Sequence, residues 1–171
     1  DDGTALALAN HEPAWAIVSS PLASVDTNGL VTAQIVWTNL PAEIEGVYRG
    51  LTGRVALLVL DTNADNYGSY AADGLPDFWQ AGYFGLDNTN AAPTRDADGD
   101  LADNRAEYVY GTVPTNRASL FALWLERIPA QPAQMNVAFE PRWGDRAYAV
   151  RASTNPAPGL WPEMTGTVSD A

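Results

Sequence analysis

The chain has 171 residues, 46% of them hydrophobic, with a net charge of −12 and no cysteine. Length and composition allow one good core, or one core and a small satellite, with no sign of disorder, and the missing cysteine excludes disulfides and thiol chemistry. All nine basic residues are arginine, which excludes a lysine nucleophile or Schiff base, and the acidity argues against nucleic acid, because phosphate binding needs a basic face.

The first zone, residues 1–60, reads as β structure. Thr4-Ala-Leu-Ala-Leu-Ala9 alternates small and apolar residues, as a strand donated to a neighbouring subunit or paired within its own chain would. His11, the sole histidine, lies in a polar stretch that suits an exposed or capping role better than a catalytic base. Strands are predicted over 15–18, 30–37 and 54–60, and Asn28-Gly29 is a tight-turn signal before the second. In that second strand Val31, Ala33, Ile35 and Trp37 share one face, so it should be half buried. The run 55–60 has no polar alternation, predicting a central strand covered on both faces; it is also the longest apolar run, far too short to span a bilayer.

The middle zone, 61–116, carries most of the charge: from Asp61 to Glu107 ten acids stand against two arginines, a local sum of −8. Asp96, Asp98, Asp100 and Glu107 occupy positions 1, 3, 5 and 12 of a loop, with the Ala102 carbonyl at position 7 and Asn104 at position 9. A hard cation such as Ca²⁺ takes about six to eight oxygens, and a loop of about twelve residues wraps it with this alternation of carboxylates and a closing bidentate Glu. Leu101 stands where such a loop has Gly, so the path must differ locally or carry strain. Asp61, Asn63 and Asp65 repeat the 1, 3, 5 offsets, but position 12 then falls on Ala72. Counted with Asp73 at position 5, Gly74 falls correctly at position 6, while Ser69 and Ala71 take positions 1 and 3. An irregular first site is expected, in which Asp61, Asn63 and Asp65 are joined by Asp73 and Asp77 across an insertion. Short helices are predicted near 76–83 and 103–110, ended by Gly111 and Pro114, with Phe78, Trp79, Tyr83, Phe84, Tyr108 and Tyr110 as a satellite core.

The third zone, 117–171, returns to strands over 120–127, 135–140, 147–152 and, more weakly, 161–167, with a turn at 141–146. The expected fold is therefore mainly β: β-sandwich-like sheets with an inserted or intervening small calcium-binding loop-helix lobe, 1–60 and 117–171 being two regions or the halves of one sandwich.

Asp73-Gly-Leu-Pro-Asp-Phe-Trp-Gln-Ala-Gly-Tyr-Phe-Gly85, Asp96-Ala-Asp-Gly-Asp100, Glu107-Tyr108 and Gly111-Thr-Val-Pro-Thr-Asn116 together resemble the thrombospondin type 3-like, EF-hand- or dockerin-like calcium repeats of secreted bacterial proteins. The likeness covers roughly a third of the chain. It implies calcium coordinated by the acidic side chains at these offsets, neighbouring domains held in a fixed relation, and an extracellular setting. It implies no enzymatic activity. Leu101 for Gly, Ser69 and Ala71 for acids, and Gln80 for an acid depart from the pattern. The stretch from Tyr148 to Asn155, with Gly159-Leu-Trp161, more weakly resembles the β-rich segment that often follows such repeats.

No Gly-rich phosphate loop or nucleophile elbow is present, and Glu43 with Glu45 reads as a solvated edge, not a glycosidase pair. The expectation is a non-enzymatic extracellular, calcium-stabilised structural subunit, self-assembling into a filament or surface layer by strand addition, its partners being copies of itself or a cell-surface component. The alternative is a carbohydrate-binding or adhesion module using Trp143 and Trp161 on a polysaccharide. A chain opening at Asp1 without a leader fits a mature secreted protein and equally an excised piece of a longer one, and weak calcium loops, with Kd of roughly 10⁻⁴–10⁻³ M, fill only where calcium is abundant.

Overall fold

The computed structural model describes residues 13–131, 134–153 and 161–163, and within these the protein is mainly β, with antiparallel sheets and few helices. The chain forms two compact units, Asp1–Ser119 and Leu120–Ala171, so that the acidic segment belongs to the same unit as the N-terminal strands. Segment Thr4–Ala9 and His11 lie outside the described residues, as does most of the strand expected over 161–167.

The first sheet has the order β1 (Ala14–Ile17), β4 (Leu40–Tyr48), β5 (Leu51–Val59), all antiparallel. Its hairpin turns on Arg49-Gly50, both at positive φ (50° and 79°), as a two-residue turn matched to strand twist requires. Leu40, Ala42 and Ile44 alternate inward along β4 while Glu43 and Glu45 face Arg54 of β5, at 3.7 and 2.9 Å. The second sheet is the pair β2 (Leu22–Val25) and β3 (Val31–Ala33), whose turn is drawn tight by Asp26 Oδ1 accepting from the Asn28 and Leu30 amides. Leu22, Val36, Ala42, Ile44 and Val59 form the core, with Trp15, Ile17, Val31, Leu40 and Leu57 packed against it. The Trp15 ring lies across Gly46: a Cβ there would stand 2.7 Å from its Cζ3.

Two expectations about these strands are corrected. The strand predicted over 30–37 ends at Ala33, because Gln34 donates its backbone N–H to Pro21 O (2.9 Å) and its side-chain amide to Leu22 O (3.3 Å). The alternation therefore resets: Val36 is buried at 4% exposure while Ile35 stands 60% exposed. The run 55–60 is not central. Strand β5 lies at the sheet edge among the described residues, with Leu51, Val55 and Leu58 exposed, and β4, diluted in sequence by Pro41 and two glutamates, takes the middle.

Two short helices follow, α1 (Asp77–Phe84) and α2 (Asn104–Tyr110), with 3-10 turns at Gly68–Tyr70 and Thr89–Ala91. Helix α2 starts where Asp103 accepts from Ala106 N (2.8 Å) and stops at Gly111, left-handed, whose N–H reaches Glu107 O. Trp79 joins the helices by edge-on contacts with Tyr83 (5.2 Å), Phe84 (6.2 Å) and Tyr108 (5.7 Å), while Phe78, Tyr83 and Tyr110 keep a solvent-facing side. No helix among the described residues is long and apolar enough to cross a membrane.

In the second unit β6 (Ala122–Arg127) pairs with β7 (Met135–Glu140). Phe139 is flanked by Phe121 (6.0 Å) and Tyr148 (4.8 Å). The strand expected over 147–152 is reduced to a single bridge, Arg151 with Glu163; Tyr148 is drawn instead into a side-chain contact, its hydroxyl accepting from Trp143 N at 2.9 Å.

Candidate metal centre

The loop after Arg95 is closed at its neck by Asn104 N donating to Arg95 O (2.8 Å) and Arg105 N to Pro93 O (3.0 Å). Inside it, short side chains take up the backbone amides. Asp96 Oδ1 accepts from Gly99 N (2.7 Å) and Asp100 N (3.2 Å), and its Oδ2 from Leu101 N (3.0 Å). Asp98 Oδ1 accepts from Asp100 N (3.2 Å), and Asp100 Oδ1 from Ala102 N (2.7 Å). One oxygen of each of Asp98 and Asp100 is thereby fixed to backbone, and the other, Oδ2, is buried with no hydrogen-bond partner among the described residues. Asp96, Asp98 and Asp100 bring carboxylate oxygens within 4.8 Å of one another, the one acidic group of three so assembled among the described residues.

Leu101 answers the question its sequence position raised. It sits at φ 82°, in the region that costs a β-carbon roughly 1–2 kcal/mol, with its side chain 95% exposed. The loop makes the turn and carries the strain.

Two further candidate ligands, outside the group of three acids, come from α2. Asn104 is fully buried: its Nδ2 clamps the segment before the loop by donating to Asn90 O (2.6 Å) and Ala92 O (2.8 Å), and its Oδ1 has no partner among the described residues. Glu107 is also at 0% exposure; Oε1 accepts weakly from Thr112 Oγ1 (3.4 Å), and Oε2 has no partner among the described residues. Burial, then the charges of Asp98 and Asp100, push the Glu107 carboxyl up to about 7, against a smaller opposing effect of the Thr112 hydroxyl. A buried carboxylate facing other carboxylates is among the costliest arrangements a protein can hold unless something positive meets it. The donor set fits a hard cation, since every available atom is oxygen and the charge is high.

The first loop is built differently. Asp61 accepts from Asn63 N (3.1 Å), and Asn63 from Asp65 N (3.3 Å), while the Asp61 amide is tied to Asn39 Oδ1 (2.8 Å). Asp65 reaches across the inserted residues to accept from Asp73 N (3.2 Å) and Gly74 N (2.9 Å). Asp73 Oδ1 takes Leu75 N (2.9 Å), and its Oδ2 takes Gln80 Nε2 (2.7 Å), an amide that also donates to Ala91 O. Asp77, fully buried, accepts from Asn66 N and Tyr67 N, both at 2.8 Å, through Oδ2. The Arg105 guanidinium, from α2, donates to Asp73 O (2.6 Å) over Gly74, where a Cβ would meet it at 3.0 Å.

Sequence reading named Asp61, Asp65, Asp73, Asp77, Asp96, Asp98, Asp100 and Glu107 and noted Gln80 where the repeat has an acid, but it did not single out Asn66 or Thr112, which the structure places beside these carboxylates. The signal for Gln80 was present: Asp77 and Gln80 on α1 stand to Asp73 as Asn104 and Glu107 on α2 stand to Asp100, and all four helical side chains are fully buried. No protein-family model, no curated protein and no solved structure matches the chain.

Proposed function

We propose that the protein is a non-enzymatic extracellular structural subunit whose acidic segment is held by calcium. Glu107 carries this reading: a fully buried carboxylate with an oxygen lacking any partner among the described residues, beside three more carboxylates. Asp96, Asp98, Asp100 and Glu107, with Asn104 and the Ala102 carbonyl, would hold the ion, which supplies the positive charge that lets these groups sit together. The resemblance to thrombospondin type 3-like repeats supports the same assignment and an extracellular setting, where calcium is abundant enough for weak sites. Assembly by strand addition into a filament or surface layer is supported by β5, an edge strand among the described residues, nine residues long, with Leu51 at 77% exposure. An alternative carbohydrate-binding role rests on Trp143 and Trp161, 47% and 41% exposed.

Thermal unfolding and particle size, recorded together in millimolar calcium and then in excess chelator, test the reading. Calcium at 100 times its Kd contributes about 2.7 kcal/mol per site, so chelation should lower the midpoint by several degrees and disperse the assembly. A particle that stays monomeric while losing stability favours the binding module; an unchanged midpoint rejects the calcium assignment.

A further inference from the structure

We propose that Asn28 is a site of spontaneous deamidation, with Asp26 as the residue that holds the reaction back in the folded chain. Asn28 is the one asparagine of the chain followed by glycine, and it stands exposed in the turn between β2 and β3. The reaction needs only water and is independent of metal. The backbone nitrogen of Gly29, having lost its proton, attacks Asn28 Cγ; the new C–N bond closes a succinimide ring, and the side-chain nitrogen takes up the proton and leaves as ammonia. Water then adds to either ring carbonyl and one ring C–N bond breaks, leaving aspartate or isoaspartate.

Packing fixes glycine at the attacking position. Gly29 stands at φ 83°, and a Cβ there would lie 3.0 Å from Cε2 and Cζ2 of the Trp15 ring. A bulkier successor, which would shield the nitrogen, is therefore excluded, and the nitrogen stays sterically open to Asn28. What restrains it is hydrogen bonding. Gly29 N donates to Asp26 O (3.0 Å), while Asp26 Oδ1 accepts from Asn28 N (2.9 Å) and Leu30 N (2.8 Å). None of these bonds engages the Asn28 side chain. Attack requires the Gly29 nitrogen to leave Asp26 O, so the rate follows local opening of the turn. Asp73 and Asp98 also precede glycine and could close the same ring with loss of water, but their carboxylates are held, Asp73 by Leu75 N and Gln80 Nε2 and Asp98 by Asp100 N. The product bears on the core, because Leu22 and Val31, on the strands this turn joins, pack there. Isoaspartate lengthens the backbone of the turn by a carbon, and either product sets a second carboxylate close to Asp26.

Incubation of the full chain at mildly alkaline pH, followed over weeks by peptide mapping in a mass spectrometer, tests this. Among the asparagines, conversion of amide to acid should appear first at Asn28, as both aspartate and isoaspartate. The same chain in denaturant should convert there about tenfold faster or more, since the turn is then open throughout. Asp26→Ala, which removes both side-chain bonds of the turn, should speed the folded chain's reaction by roughly tenfold, whereas Asp26→Asn, which keeps an Oδ1 acceptor, should stay within about twofold of wild type. Should Asp26→Ala not fold, the ratio of denatured to folded rates in wild type reads the same restraint. Earlier conversion at any other asparagine overturns the proposal, as do equal rates in folded and denatured wild type, or a folded Asp26→Ala chain that converts no faster than wild type.

Discussion

The two acidic loops end alike and begin differently. Each runs into a short helix that buries two polar side chains three residues apart, Asp77 with Gln80 and Asn104 with Glu107. In the loop of residues 96–107 every acid lies within twelve positions, and the closing side chain is an anionic glutamate. In the loop of residues 61–77 the chain makes an excursion around Tyr70, and an amide, Gln80, stands where the glutamate would be, using its N–H₂ to hold Asp73. Local closure by a carboxylate leaves a concentrated negative charge that a cation or a proton would relieve. Closure by an amide neutralises part of the same turn with protein atoms, so less of that loop's order should depend on metal.

Glu107→Gln breaks this comparison most directly, since it gives the second loop the first loop's closing residue. If calcium holds that loop, the variant in saturating calcium should lose most of the roughly 2–3 kcal/mol that the ion would contribute there. In chelator at pH 8 the order should reverse, the variant being the more stable, because a buried uncompensated charge has been replaced by a neutral amide of the same shape. Denaturant midpoints of both proteins under both conditions decide it; equal loss in chelator would mean Glu107 has another partner.

A pH series sharpens the same point. In the metal-free chain the Glu107 carboxyl is raised from 4.5 to about 7, so the folded state binds the proton more tightly than the unfolded one. Stability from this group is complete below about pH 4.5 and is lost as pH rises towards 7 and beyond. Chelated protein should therefore gain stability on acidification from pH 8 to pH 5. Calcium-loaded protein should do the opposite over that range, because protons compete with the metal for the same oxygen. Parallel curves with and without calcium would contradict the assignment.

The 96–107 loop was legible because its information is local: carboxylates at fixed offsets and a stop at Gly111 are read within sixteen residues. The register of the first loop was not, since what brings Asp65 to Asp73 and Asn66 to Asp77 is a fold-back anchored by Tyr70 on residues past α1. The sheets divide in the same way. The Asn28-Gly29 turn and the exact span of β7 follow from short-range pattern, whereas the edge position of β5 depends on its pairing with β4, a strand whose Pro41, Glu43 and Glu45 hide its alternation. Apolar sequence measures what a strand can bury, and its place in the sheet decides what it does bury.

The smallest expected effect concerns the strain in the second loop. Leu101→Gly relieves a left-handed β-carbon with an exposed side chain, and after the extra freedom glycine gives the unfolded chain it should stabilise by about 0.5–1 kcal/mol. Equilibrium unfolding in calcium measures it. A destabilised variant would show that the leucine side chain is held by something, and that its strain is offset locally.

The Arg105 guanidinium rests on the Asp73 carbonyl, and the N–H of that same peptide, Gly74 N, is bonded to Asp65 Oδ2. One side chain of the second loop's helix thus shares a peptide with the hinge of the first. Groups joined in this way do not contribute additively. Substitutions in both loops should therefore cost a different amount from the sum of each made alone, and a change made in either one should be felt by the other.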